Sequence, residues 1–156
     1  MPELPEIETT IKGLNILINN KITKVYTYVR KLRYIIPTDI DKTLKGQNII
    51  AIERIAKYIL IKFKNKSTLI VHLGMSGRLK IYKKNYVRHK HDHVIISFKN
   101  KYTLVFNDPR KFGFVDIVET SKVYNKKYIF LLGVDALSDQ LTAKYMYAKI
   151  YKSKVP

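Results

Sequence analysis

The first residues of the chain place a proline directly after the initiator methionine and two glutamates, Glu3 and Glu6, close behind it. A small second residue permits removal of the methionine, which would expose the secondary amine of Pro2. A terminal amine has a pKa of about 8, so a useful fraction of it is unprotonated and nucleophilic near neutral pH. Attack on a sugar C1′ would give an iminium ion, and Glu3 or Glu6 could supply a proton if burial raised its pKa. The alternative interpretation is an ordinary helix N-terminus, where carboxylates favour the helix dipole.

The segment HLGMSGRL, residues 72–79, follows an apolar run and has two glycines that bracket Met75. Glycines at these positions permit a tight turn whose exposed backbone amides suit the close approach of a phosphate, with Met75 projecting from the turn. The alternative is a plain hairpin turn with Met75 in the core.

The segment NDPRKFGF, residues 107–114, is a polar turn that carries Arg110 and Phe112 two positions apart. In an extended segment these side chains point the same way, and together they offer a guanidinium and a ring to a disrupted base stack. In the alternative interpretation, Asp108 caps the turn and pairs with Arg110.

The segment RHKHDHV, residues 88–94, alternates histidines with other polar residues. His89, His91 and His93 could share one face of a strand as metal ligands. The neighbouring cations fit phosphate contacts better, and His93 could be a hydrogen-bonded structural residue. Lys57 precedes a very apolar run, where its alternative is a surface side chain that lies along apolar neighbours.

The elements that must hold these residues follow from periodicity. Apolar residues at three- and four-residue spacing after Pro5 predict an N-terminal helix, and they are Ile7, Ile11, Leu14 and Ile18. Eight short β-branched or aromatic runs predict strands: KVYTYV, NIIAIERI, YILIKF, STLIVHL, RLKIY, HVIISF, YTLVF and FVDIV. Polar pairs at residues 65–66 and 100–101 predict hairpin turns, and a short helix is predicted between Asp39 and Gly46. The fold class predicted is mainly β with flanking helices, a two-layer antiparallel β-sandwich of about eight strands with an N-terminal helix.

A second unit is predicted after Gly133, where Leu137, Leu141 and Tyr145 fall on one helical face behind possible caps at Ser138 or Asp139. The domain prediction is a β-sandwich over residues 1–133 and the first helix of a further unit over residues 134–156. A single helix has no partner to bury its apolar face, so the sequence predicts a truncated or naturally split protein.

Composition indicates a polyanionic partner. Thirty Lys and Arg against twelve Asp and Glu give 156 residues a formal charge of +18, while 46% hydrophobic residues are enough for a globular core. The alternatives are a lysine-rich surface without a partner, or an anionic membrane, which would require a basic amphipathic helix with bulky aromatic anchors. The chain has no cysteine, leader segment or apolar run long enough to span a membrane, so we expect a cytoplasmic protein without disulfides.

Five segments, PELPEIET, AKY, HLGMSGRL, KHDHV and NDPRKFG, stand in this order along the chain and together resemble the formamidopyrimidine-DNA glycosylase family. The match spans almost the whole chain. Leu4 favours the oxidised-purine branch over the endonuclease VIII-like branch, whose members typically have glycine there.

The resemblance implies a bacterial base-excision repair enzyme that removes 8-oxoguanine and formamidopyrimidines and then cleaves the strand by β- and δ-elimination. It implies that Pro2 attacks C1′ of the damaged nucleoside, that Glu3 assists proton transfer, and that Lys57 lies near the lesion and its phosphate. The predicted catalytic residues are therefore Pro2, Glu3 and Lys57.

The residues predicted to bind the lesion or the DNA are Glu6, His72, Met75, His91, Arg110 and Phe112. By resemblance, His72 lies close to the DNA backbone, and Met75, Arg110 and Phe112 fill the gap left by the flipped-out nucleotide. The predicted partner is double-stranded DNA with oxidised purines or abasic sites, and no membrane. The protein is predicted to be a monomer, or to be complemented by a separate C-terminal half.

The chain departs from the family pattern in one respect. Family members continue through a helix-two-turn-helix segment and a four-cysteine zinc finger, whereas this sequence carries only the first helix of that half and no zinc ligand set. We therefore expect no cofactor within the chain. Two rival functions stay open: a DNA-binding remnant that no longer turns over, and an RNA-binding β module that prefers single strands.

Overall fold

Two antiparallel β-sheets of four strands each make up most of the molecule. The computed structural model describes residues 2–135, 138–151 and 153. The elements are α1 (Leu4–Leu14), β1 (Ile22–Thr27), α2 (Ile40–Leu44), β2 (Ile49–Ile55), β3 (Tyr58–Phe63), β4 (Ser67–His72), β5 (Arg78–Lys83), β6 (Asp92–Phe98), β7 (Tyr102–Asn107), β8 (Phe114–Glu119), α3 (Lys127–Phe130) and α4 (Ala143–Ile150). The first sheet has the order β1-β6-β7-β5 and the second β2-β3-β4-β8. The predicted two-layer sandwich, its eight strands and the short helix after Asp39 are confirmed.

The main core lies between the sheets, and a smaller one lies outside the second sheet. Leu69 and Val71 of β4 face Val94 and Ile96 of β6 across the sandwich. The intervening residues of the second sheet, such as Ile70, pack instead under the segment that follows β8. A sheet that is buried on both faces reads as a continuous apolar run, which explains why β3 and β4 show no alternation.

Helix α1 runs antiparallel to β2, and this direction decides where the chain's first residues lie. Just beyond its C-terminal end, the Asn19 N–H donates to the Ile49 carbonyl at 2.8 Å, at the start of β2. Near its N-terminal end, Glu8 pairs with Arg54 close to the end of β2. The helix therefore points Pro2 toward the turn that joins β2 to β3.

Six non-glycine residues in the described part of the chain have a positive φ, and four of them are lysines: Asn19, Ala56, Lys66, Lys84, Lys101 and Lys111. Lys66 and Lys101 occupy the β3–β4 and β6–β7 hairpin turns, at 62° and 68°, so both predicted hairpins are confirmed. Residues other than glycine and asparagine rarely adopt this conformation, since the Cβ crowds the backbone.

Helix α4 begins later than its apolar pattern predicted. Thr142 is its N-cap, because its side-chain oxygen accepts a hydrogen bond from the Tyr145 N–H at 3.1 Å. The predicted caps Ser138 and Asp139 are wrong: both precede the cap, in a turn. Leu137 of the predicted helical face, Met1, and residues 136, 152 and 154–156 lie outside the described residues. No described residue of α4 is buried, and no helix in the described ranges is long and apolar enough to cross a membrane.

Candidate active site

Strand register gathers the predicted residues at one end of the second sheet. Tyr58, the first residue of β3, pairs with His72, the last residue of β4, and His72 in turn pairs with Phe114, the first residue of β8. The turn that carries Lys57 and the loops that carry Met75 and Arg110 adjoin these three positions in the chain. The same end receives Pro2, because of the direction of α1.

The two N-terminal glutamates, Glu3 and Glu6, cap the start of α1. Glu6 accepts a hydrogen bond from the Glu3 backbone N–H at 2.8 Å, which caps the start of α1. The Glu3 side chain is exposed and Pro2 is half-buried. Glu6 thus fixes the backbone that connects Pro2 to the helix, and the exposed Glu3 carboxylate accepts a hydrogen bond from the Glu6 backbone N–H in return. The burial that a general-acid role requires is not present for either carboxylate in the free chain.

His72 is a half-buried, neutral imidazole within an aromatic group. Its ring stacks on Phe114 with a 5.6 Å centroid separation and lies 5.0 Å from the Tyr58 ring. Its Nδ1 accepts a hydrogen bond from the Gly74 N–H at 3.1 Å, so the hydrogen-bond network assigns the imidazole proton to Nε2. Burial lowers the pKa of His72, and the charges of Arg33 and Lys57 lower it further. The Lys57 and Arg33 charges therefore both act on this ring.

Two loops of the site touch through their glycines. A Cβ on Gly74, whose φ is +62°, would lie 2.4 Å from the Gly113 nitrogen, and a Cβ on Gly113 would lie 2.6 Å from the His72 carbonyl oxygen. Only glycine permits this approach of the β4–β5 and β7–β8 loops. Met75 on one loop and Phe112 on the other each have 46% of their surface exposed. Met75 thus projects from the turn and does not lie in the core.

The amides of the glycine turn are used within the protein. The Gly74 N–H donates to His72 and the Gly77 N–H donates to the Leu73 carbonyl at 2.8 Å. These two glycine amides are therefore already engaged, and a phosphate contact by the turn stays a prediction. The glycines serve the packing of the turn.

Asp108 holds the β7–β8 loop in shape from a fully buried position. Its Oδ1 accepts a hydrogen bond from the Ser76 hydroxyl at 2.5 Å and one from the Arg110 N–H at 3.3 Å, and its Oδ2 accepts one from the Gly113 N–H at 2.8 Å. Hydrogen bonds to a buried carboxylate are charge-assisted and strong. Asp108 thus caps the turn, as one of the two sequence interpretations predicted.

The Arg110 guanidinium lies over the Phe112 ring, 4.7 Å from its centroid. Both side chains are exposed. The expectation that they act as a pair fits this cation–π contact, although the loop between them turns at Lys111, whose φ is +57°. The guanidinium is directed to the ring, and Asp108 meets Arg110 through the backbone N–H.

The histidines of residues 88–94 have separate surroundings. His93 is buried and bonds through Nε2 to the Asp108 carbonyl at 2.8 Å, which confirms its structural role. His91 is half-buried in the turn before β6, and its carbonyl accepts from the Asp108 N–H at 3.0 Å. Within the described ranges, no group of three His, Cys, Asp or Glu side chains is placed to hold a metal ion. The metal-ligand interpretation of these histidines is therefore not supported.

Arg54 is a site residue that the sequence did not reveal. Its side chain is 14% exposed and bonds to Glu8 of α1, to the Asp135 carboxylate at 3.0 Å and to the Ala56 carbonyl at 3.0 Å. It therefore ties together the helix that carries Pro2, the turn that carries Lys57 and the segment after α3. The only signal in the sequence was a charged residue within an apolar run. Strands with one face in solvent also carry charged residues, so this signal did not point to a site.

Arg33 was also missed. Its N–H donates to the Gly113 carbonyl at 3.1 Å, and its charge acts on His72. The predicted strand KVYTYV ends at Val29, and no element or role was predicted for residues 30–34. The position of Arg33 at the site depends on the long connection between β1 and α2.

A sequence model of the formamidopyrimidine-DNA glycosylase N-terminal domain matches residues 1–115. This match covers most of the chain. The chain therefore belongs to the formamidopyrimidine-DNA glycosylase family.

Curated members of the family align along the whole chain. The formamidopyrimidine-DNA glycosylase of Zymomonas mobilis is 40% identical over 157 residues, which cover 100% of this chain and 57% of that protein. The protein of the same name from Vesicomyosocius okutanii is 43% identical over 150 residues and is covered to 54%. The chain thus spans about half the length of the curated family members that it matches.

Solved structures of the family have the same fold. The Lactococcus lactis formamidopyrimidine-DNA glycosylase, bound non-covalently to DNA that contains an AP site, superimposes with a TM-score of 0.85 over 95% of this chain and 57% of that one, at 27% identity. A complex of the L. lactis protein with DNA that contains FAPY-dG gives a TM-score of 0.72 at 30% identity, over 79% of this chain and 46% of that one.

The zinc finger that the family resemblance implies has no counterpart in these residues. A four-cysteine site cannot form from a chain without cysteine.

Proposed function

We propose that the chain is the catalytic domain of a DNA glycosylase and abasic-site lyase that acts on oxidised purines in duplex DNA, within the cytoplasm. The observation that carries this proposal is the convergence of Pro2, Lys57, His72 and the paired glycine loops at one end of the sandwich. Family membership supports the chemistry, and a formal charge of +18 supports the polyanionic substrate.

The reaction begins at the Pro2 nitrogen once the methionine has been removed. The nitrogen lone pair forms a bond to C1′, and the bond from C1′ to the base breaks as the base leaves with a proton. The nitrogen loses its proton, and the C1′–O4′ bond then breaks as O4′ takes up a proton, which opens the sugar ring and leaves an iminium ion. This ion acidifies the C2′ hydrogens, so loss of one of them breaks the C3′–O bond, and a second elimination breaks the C5′–O bond. Glu3 moves the protons, because it adjoins the nucleophile in the chain and becomes buried once DNA covers the site.

The remaining residues hold the DNA around this centre. Lys57 lies near the scissile sugar and its phosphate, and His72 donates its Nε2–H to a backbone phosphate oxygen. A neutral imidazole suits this role, because Nδ1 is already held by the Gly74 N–H. His91 contacts a phosphate from the turn before β6, and Glu6 keeps the N-terminal backbone in place.

Met75, Arg110 and Phe112 fill the space that the extruded nucleotide leaves. The exposed surfaces of Met75 and Phe112 and the Arg110 guanidinium stacked on the ring form a mixed apolar and cationic wedge. Such wedges compensate for the stacking that is lost when a nucleotide leaves the duplex. The Gly74–Gly113 contact preforms the wedge before DNA arrives.

We also propose that the chain consists of two units. The sandwich covers residues 1–133, and residues 134–156 contain the first helix of a DNA-binding unit. The exposed surface of α4 supports this division, because the helix buries no described residue against the sandwich.

Borohydride trapping tests the proposal. The purified chain is mixed with a duplex that contains one abasic site, borohydride reduces the iminium ion, and the N-terminus is confirmed by mass spectrometry. We expect a covalent adduct with the wild type and none with Pro2→Gly. Pro5→Ala, which changes an exposed proline one turn away, is the matched control and should still form the adduct. No adduct from folded, correctly processed wild type would instead favour a DNA-binding remnant without turnover.

A further inference from the structure

The connection between β5 and β6 forms a strap over the outside of the first sheet. Both strands pair antiparallel to β7, so they run in the same direction, and residues 84–91 must return along the sheet to start β6. Ile95 and Ser97, which alternate with the inward-facing Val94 and Ile96, lie under this connection. Residues 84–91 are called the strap below.

A groove of about 640 Å³ lies between the strap and β1. Aromatic rings line it along its length: Tyr26, Tyr28, Tyr86 and Tyr102. Tyr26 and Tyr28 are 46% and 43% exposed, and their ring centroids lie 6.2 Å apart. Two large rings left in solvent on an outer sheet face offer flat apolar surface to a partner that can stack on them.

Cations stand at both ends of this strap groove. Lys84 and Lys101 lie together at one end, where the Lys84 N–H donates to the Lys101 carbonyl at 3.0 Å. Arg88 lies at the other end, with its guanidinium 4.1 Å from the centroid of the Tyr28 ring. The described residues that line the groove include no aspartate or glutamate side chain. The groove therefore attracts anions along its length. It follows β1, which is roughly 20 Å long at about 3.3 Å for each residue.

The strap wall is rigid before any ligand binds. The buried carboxylate of Asp92 accepts hydrogen bonds from the Tyr86 hydroxyl at 2.5 Å, the His89 N–H at 2.6 Å and the Asn107 side chain at 2.8 Å. Arg88 is held in turn by the Asp92 carbonyl at 3.3 Å. A preformed wall loses little conformational entropy on binding.

We propose that the strap groove binds single-stranded nucleic acid, with unpaired bases on Tyr26 and Tyr28 and phosphates on Lys84, Arg88 and Lys101. Rings interleaved with cations in a groove free of carboxylates are the arrangement that single strands require. A duplex hides the faces of its bases, so it cannot stack them on these rings. The proposal concerns a surface separate from Pro2 and is independent of the catalytic proposal.

Oligothymidylate of roughly 15 nucleotides, labelled with fluorescein, tests the groove by fluorescence anisotropy. We expect the wild type to bind it, and Tyr28→Leu to weaken the binding at least about fivefold, since one base loses its stacking partner. Tyr124→Leu removes a tyrosine that is more exposed than Tyr28, 67% against 43%, and that does not line the groove, so it should change the affinity less than about twofold.

Photocrosslinking locates the strand without relying on a variant. An oligothymidylate that carries one 5-iododeoxyuridine should crosslink to the peptide that contains Tyr26 and Tyr28. Crosslinks confined to other peptides, failure of the wild type to bind, or equal losses in Tyr28→Leu and Tyr124→Leu would each overturn the proposal. Binding by wild type and Tyr28→Leu alike that inorganic polyphosphate abolishes would reduce the groove to a general anion site.

Borohydride trapping of Tyr28→Leu separates the two proposals. Tyr28 has no part in the catalytic chemistry, so its variant should trap abasic duplex as the wild type does. A wild type that traps nothing but binds oligothymidylate would refute catalysis and leave the strap groove intact.

Discussion

His72 links the acid–base behaviour of the site to its packing. Its ring lies between two aromatic neighbours, takes the Gly74 N–H on one nitrogen and is exposed to the charges of Arg33 and Lys57. Burial of the ring and the two positive charges favour the neutral imidazole over the imidazolium. The residue is therefore a donor of one fixed proton at neutral pH and not a cation.

The lowered pKa of His72 predicts a change of stability with pH. Below the ordinary pKa of 6.5, the unfolded chain takes up a proton that the folded chain still refuses. The stabilising effect of the neutral ring is thus complete above 6.5 and is lost as the pH falls from 6.5 toward the folded-state pKa. Urea unfolding at about pH 7.5 and about pH 5.5 should show a smaller pH-dependent loss in His72→Gln than in the wild type.

His89→Gln is the matched control, because His89 is exposed on the strap. Identical pH profiles for the wild type and His72→Gln would contradict the assignment of a buried neutral ring.

The two site loops depend on backbone contact at the scale of elements. Gly74→Ala would place a Cβ 2.4 Å from the Gly113 nitrogen, well inside the van der Waals contact distance, in a backbone conformation that alanine disfavours. We expect Gly74→Ala to lower the free energy of unfolding by at least about 2 kcal/mol, through strain and separation of the loops. Urea denaturation measures this loss.

Gly13→Ala gives the opposite sign and is the control. Gly13 lies within α1, and a Cβ there would meet nothing within 4 Å. Alanine at an open helical position stabilises by about 0.5–1 kcal/mol. If Gly74→Ala proved as benign as Gly13→Ala, the glycine contact would not define the site.

Arg54 is a positioning residue for the nucleophile. Arg54→Met removes the bonds to Glu8 and the Ala56 carbonyl, so α1 and the Lys57 turn lose their common anchor. We expect the rate of borohydride trapping at saturating abasic DNA to fall about tenfold, because small misplacements of reacting groups are costly. The dissociation constant for the duplex should change little.

Lys62→Met is the matched control for Arg54→Met. Lys62 lies on the same sheet and pairs with Glu53 at 2.6 Å on a more exposed surface. Surface ion pairs contribute at most about 1 kcal/mol, so neither rate nor affinity should move. A loss of affinity equal to the loss of rate in Arg54→Met would make Arg54 a DNA contact.

The features that could be predicted from the sequence depend on residues that lie close together in the chain. The eight strands follow from β-branched runs, and the hairpins follow from Asn65 and Asn100 with their neighbours. The turn-capping role of Asp108 was visible as one of two alternatives, because its donors at Arg110 and Gly113 lie within five residues. Contacts of this range leave a trace in residue type and spacing.

What the sequence did not predict depends on residues far apart in the chain. Arg54 meets Glu8 and Asp135 across 46 and 81 positions, and Gly74 meets Gly113 across the gap between two hairpins. The periodicity of one sequence carries no information about contacts between residues so far apart. The caps of α4 were misplaced for a different reason: Ser138, Asp139 and Thr142 are all acceptable capping residues, and geometry decides among them.

At the scale of the whole molecule, charge dominates. Neutralising phosphates with lysine and arginine releases counterions, so a protein that makes about six to ten such contacts loses roughly 10³–10⁵ in affinity between about 50 and 200 mM salt. With a formal charge of +18, the chain should show a loss of this size on abasic duplex. Anisotropy titrations across this salt range measure it.

Replacing sodium chloride by an equal osmolarity of sucrose is the control for the salt series, because sucrose carries no ions. A flat salt response would show that the binding of duplex does not depend on the basic surface.

The four lysines with a positive φ mark turns at which the stability of the fold could still be raised. Lys66 sits at the tip of the β3–β4 hairpin, at the end of the sheet opposite Pro2, in a conformation that glycine adopts without crowding. A lysine stands there in place of glycine, the residue that most easily forms such a turn. For protein engineering, this hairpin tip is a position where a substitution can raise the stability of the fold without changing the residues at the other end of the sheet.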